Sequence, residues 1–139
     1  MQGSEYVLER MLELQQEKRD LEDDNRRAHA LNAFLRALGE TEIYYGTLRN
    51  SEKDRDCEEE LSRLWREASE ELTVVDLELA KRCQEKSRYW ADPIGWSDDA
   101  LEHAHIAIHE MRDALNRLLD QQEARKYRRS AAKPHKSQQ

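Results

Sequence analysis

The chain is poor in the residues that end helices, staple small folds or build phosphate loops. Its 139 residues include two prolines, four glycines, one phenylalanine, three tryptophans and five tyrosines. So few breakers leave room for only a few turns, and therefore for long elements. Cys57 and Cys83 are the only cysteines, in no CxxC spacing and with no signal peptide near Met1. A disulfide framework is excluded, and the expected setting is a reducing cytoplasm, with both cysteines acting as small hydrophobes on a helix. No apolar run approaches the roughly 18 residues that span a bilayer. No glycine-rich phosphate loop is present, and no Ser or Cys stands in a recognisable nucleophile context.

What is present is helix-forming and charged. Ala, Glu, Lys, Leu and Arg make up 73 of the 139 residues, whereas Leu, Ile, Val and Phe together supply only 25. Strong helix formers with thin hydrophobicity favour long amphipathic helices over a thick core. Thirty acidic and 23 basic residues give a net charge of −7. Residues 125–139 hold six basic residues and no acid, so the preceding 124 carry a net of −13. An acidic body repels phosphate over most of its surface, which leaves a basic tail as the only candidate nucleic-acid contact.

Along the chain, Val7, Met11, Leu14, Lys18, Leu21, Asn25, Ala28, Asn32 and Leu35 recur in alternating steps of three and four, a heptad seam. Its ends are apolar and its centre polar. The first helix is therefore either continuous or interrupted, with a split near Asp23-Asp24 or a kink at Gly39. Ser51 with Asp54 resembles a capping pair opening a second helix. Its face reads Cys57, Leu61, Leu64, Trp65, Ala68, Leu72, Val75, Leu79, Cys83 and Trp90, with no break before Pro93. Ser97 suits the N-cap of a last helix, running on Leu101, Ala104, Ile108, Met111, Leu115 and Leu118 to about Arg128. The expected fold is all-α: an antiparallel bundle of three long helices with coiled-coil-like packing over residues 1–128. Residues 129–139 are expected to form a basic, disordered tail.

Three sets of residues could carry chemistry. Glu102 and His105 have E-x-x-H spacing, and His109 follows His105 by one helical turn, so a metal could bridge them. Ferritin-like carboxylate sites need that spacing twice. Here the first helix offers only His29, with Arg26 where a partnering Glu would stand. Asp76, at the edge of an apolar run, needs a partner if buried, and an Asp76–His105 pair could act as a general base. Such pairs more often fix helix register. The basic group Lys81, Arg82, Lys86 and Arg88 reads as the solvated end of a helix, where it complements the dipole.

The leading expectation is a non-enzymatic interaction protein, without cofactor, that self-associates or docks on a larger assembly. Its partner surface would comprise Val7, Met11, Leu14, Tyr44, Tyr45 and Ile106. The alternatives are a small metal-dependent or acid–base enzyme at Glu102, His105, His109 and Asp76, and a nucleic-acid-associated factor using Arg125, Lys126, Arg128 and Arg129.

Overall fold

The computed structural model describes residues 2–132, and it is all-helical, with no strand among them. Helix α1 spans Gln2–Thr47, α2 Arg55–Leu72, α3 Leu77–Ala91, α4 Asp98–Ala104 and α5 Ile108–Ala132, with one 3-10 turn at Pro93–Gly95. Four longer helices and one of seven residues thus replace the three expected. Helix α1 is unbroken at both Asp23-Asp24 and Gly39, and its 46 residues extend about 69 Å.

The expected second helix is two helices. Thr73, Val74 and Val75 are three β-branched residues in succession, which weakens helical preference. Asp76 follows in extended backbone and accepts a hydrogen bond from the Leu79 amide at 3.0 Å, which opens α3. The cap that opens α2 is Asp54, accepting from the Cys57 amide, and not Ser51, whose hydroxyl donates to the Thr47 carbonyl. The expected last helix is also two. Ser97 caps α4 as its spacing implied, but the chain turns at His105 before α5 begins.

Side-chain bonds give the helix directions. Tyr44 donates to Glu58 at 2.7 Å and Trp65 to Thr41 at 2.8 Å, so α1 and α2 run antiparallel. The Ser62–Ser87 and Ser69–Ala80 bonds make α2 and α3 an antiparallel hairpin. Arg82 reaches the Glu110 carbonyl, while Arg112 pairs with Glu42 and Arg129 with Asp24. Helix α5 therefore runs antiparallel to both α3 and α1.

On α2, α3 and α5 the core largely follows the stripe that periodicity marked. On α1 it does not: the whole heptad seam from Val7 to Leu35 is exposed, and α1 packs through Ala30, Phe34, Ala37, Leu38 and Tyr44 instead. Phe34, Leu61, Leu64, Trp65, Leu72, Leu79, Cys83, Trp90, Met111, Leu115 and Leu118 are buried, and Phe34 meets Trp65 edge-on. Cys57, assigned to that stripe, is exposed. At one end, Arg55 donates to the Trp90 carbonyl at 2.9 Å and to the Ala91 carbonyl. It satisfies terminal carbonyls of α3 that would otherwise lack a partner.

Candidate functional site

Part of the set singled out for chemistry borders one open cavity of about 480 Å³, between α3, the end of α1 and the α4–α5 joint, while Asp76 lies elsewhere, at the start of α3. Glu102, His105 and His109 all border it, but not as one helix face. His105 adopts the left-handed conformation, with φ 53° and ψ 43°, and ends α4. This corrects the expectation of a shared i,i+4 face. Left-handed backbone costs a non-glycine residue about 1 kcal/mol. In return, the turn moves Ile106 from a polar flank into the core at 1% exposure, a burial worth about 2 kcal/mol.

Two polar anchors hold the joint. Arg82 donates to the His105 carbonyl from Nε at 3.0 Å and Nη2 at 2.8 Å, and to the Glu110 carbonyl at 3.3 Å. The His105 Nδ1 lies 3.0 Å from Glu110 Oε1, and this hydrogen bond holds the Glu110 carboxyl below its ordinary range. His103 turns back to the Asp99 carbonyl at 2.8 Å. Among the described residues, no three His, Cys, Asp or Glu side chains converge as metal ligands. The Asp76–His105 pair is not formed either, because the Asp76 carboxylate caps α3.

The side chain that sequence reasoning misplaced is Lys86. Instead of lying on a solvated helix end, it is 2% exposed and borders the cavity. Its Nζ sits 5.3 Å from the Tyr89 ring centre, 5.7 Å from Trp90 and 6.0 Å from Tyr45. Burial pushes its pKa down to about 8. Ring faces attract the ammonium but return only part of its lost hydration. The signal was in the spacing, since Lys86 falls three residues after Cys83 and four before Trp90, inside the core stripe. Trp90 packs against Tyr44, Tyr45 and Tyr89, and its indole N–H has no acceptor among the described residues.

The expected partner surface divides. Tyr44 is 4% exposed, with its hydroxyl committed to Glu58 and to the Asp54 amide, Tyr45 is half-buried, and Ile106 is buried. Tyr44 and Ile106 are therefore part of the fold and not of a free surface. The N-terminal seam is the opposite case. Every residue from 3 to 19 is exposed, including Val7 at 55%, Met11 at 52% and Leu14 at 48%. Tyr6, Leu8 and Leu12 are exposed beside them. Among the described residues, α1 meets α5 from about Asp20 and Asp24, where Arg129 binds, and the preceding 17 residues project as an arm about 26 Å long.

Of the basic set, Arg129 is committed to Asp24 and Arg125 is half-buried, whereas Lys126 and Arg128 face solvent. Helix α5 continues through this set to Ala132. The rest of the expected tail, residues 133–139, lies outside the described residues. Among the described residues, no helix is long and apolar enough to cross a membrane. No known protein family, curated protein or solved structure matches the chain.

Proposed function

We propose that this chain is a non-enzymatic interaction protein whose working surface is the projecting arm of α1, used for self-association or for docking on a larger assembly. One observation carries the reading: among the described residues, 3–19 form a helix that is exposed along its whole length yet keeps an apolar seam. An isolated helix of that length is marginal in water, and its exposed Val7, Leu8, Met11, Leu12 and Leu14 gain nothing unless something covers them. The cavity beside Lys86 supports an enzyme less well. His105 is spent on the α4–α5 joint, and Asp76 is spent as a cap.

Light scattering on the purified chain tests the reading, together with amide exchange along α1. The expected result is a mass above 16.5 kDa at tens of micromolar, with the arm amides protected. A monodisperse monomer with a cooperative melt and a freely exchanging arm overturns it.

A further inference from the structure

We infer that the occupant of the arm is a second copy of the same arm, paired antiparallel, with Met11 of each copy opposite Leu14 of the other. This rests on the reading of the arm as an interaction surface and adds its partner, direction and register.

The register follows from the seam. Val7, Met11, Leu14, Lys18 and Leu21 stand on one face at alternating steps of four and three, the spacing that meshes two helices. In an antiparallel pair, each position from one row faces a position from the other. Setting Met11 against Leu14 then sets Val7 against Lys18 and Leu21 against Ser4. The two central layers are wholly apolar. The outer layers place the long stem of Lys18 over Val7, with its ammonium free to reach water.

The flanking charges choose the same arrangement. Arg10 and Glu17 lie on one edge of the seam, seven residues apart, and face each other between copies twice in each antiparallel pair. Within one chain Arg10 bonds only its neighbour Glu13, at 3.1 Å, and both groups are exposed. A parallel pair would stack Lys18 on Lys18 inside the seam and bring Glu17 beside Glu22, two like-charge contacts.

The length also fits. The paired stretch, residues 4–21, nearly coincides with the exposed residues 3–19. Each bundle begins about ten residues from the centre of the pair, on opposite sides of it. The two bundles are thus held apart, and neither must open. A seam this short falls at the low end of stable interfaces, so the dimer should dissociate in the micromolar range.

Charge exchange and thiol trapping test direction and register, with the bundle melt confirming that each variant folds. Arg10→Glu and Glu17→Arg should each weaken association about tenfold, and the double variant should restore it to within about twofold. In a Cys57→Ala background, equimolar Met11→Cys and Leu14→Cys chains are mixed and oxidised. A disulfide between the two different chains supports the inference. Met11→Cys chains joined to each other show a parallel pair, which overturns the inference but keeps the arm as an interaction surface. Failure of the double variant to recover overturns the register. A monomer at every concentration overturns the inference, and overturns the reading of the arm as an interaction surface only if its amides also exchange freely.

Discussion

A buried ammonium packed against three rings makes the folded state sensitive to alkali in an unusual direction. Lys86 is 2% exposed, and burial brings its pKa to about 8. Below pH 8 it is charged whether folded or unfolded, and the native state bears the full desolvation cost. Between pH 8 and 9 the folded chain releases the proton while the unfolded chain keeps it, so Lys86 raises stability by about 1 kcal/mol. Above pH 9 Lys86 goes on adding stability until the unfolded chain also loses its proton near 10.5, but two other groups increasingly oppose it. Cys83 and then Tyr45, both pushed up to about 12 by burial, ionise more readily in the unfolded chain. Chemical denaturation at half-unit pH steps should therefore show a maximum between pH 9 and 10. Lys86→Met, of similar length and shape, should abolish the rise and gain about 1 to 2 kcal/mol at pH 7. A Lys86→Met chain that keeps the wild-type profile would show that another group causes it. Periodicity placed Trp65, Leu72 and Trp90 in the core because apolar spacing and burial are directly linked. It misplaced Lys86 because residue type was weighed above position.

At the scale of the element, apolar spacing alone did not show where helices end. Leu72, Val75 and Leu79 keep helical intervals across a turn, because α2 and α3 each continue the stripe from their own side of it. The informative signals were chemical: three β-branched residues followed by Asp76. Asp76→Ala should cost about 1 kcal/mol, read as a lower urea midpoint with an unchanged slope. The α4–α5 joint gave no such warning. His105 follows Ala104 with neither Gly nor Pro nearby, and only tertiary gains, the buried Ile106 and the Arg82 clamp, make the turn worthwhile. Gly39 erred the other way. It marked a kink, yet α1 runs straight through, and a methyl group there would meet nothing within 4 Å. Gly39→Ala should therefore stabilise by about 0.5 to 1 kcal/mol, raising Tm by several degrees.

For the whole molecule, the division is between a bundle that supports itself and an arm that does not. The apolar spacing of Val7, Met11 and Leu14 was legible in the sequence, because a heptad pattern is visible whether or not the chain itself covers it. The extent of the overhang was not legible, since it depends on where α5 first reaches α1. Dilution should separate the two parts. As copies part, far-ultraviolet ellipticity should fall by about the share that residues 3–19 contribute, while near-ultraviolet signals from Trp65 and Trp90 hold steady. Loss of both signals together would show that the bundle also depends on association. The contact between α1 and α5 has a further consequence, for the order in which the chain folds. Asp24 and Arg129 are 105 positions apart, whereas Ser69 and Ala80 are separated by only 11. Closing the longer loop costs more entropy, so the α2–α3 hairpin is the natural early structure and α5 the last to dock. By the same reasoning α5 is the first to leave. Native-state exchange should show its amides opening as a group at lower free energy than those of the hairpin. During synthesis, the hydrophobic strip awaiting Met111, Leu115 and Leu118 therefore stays uncovered until α5 emerges, and is the surface a chaperone would meet first.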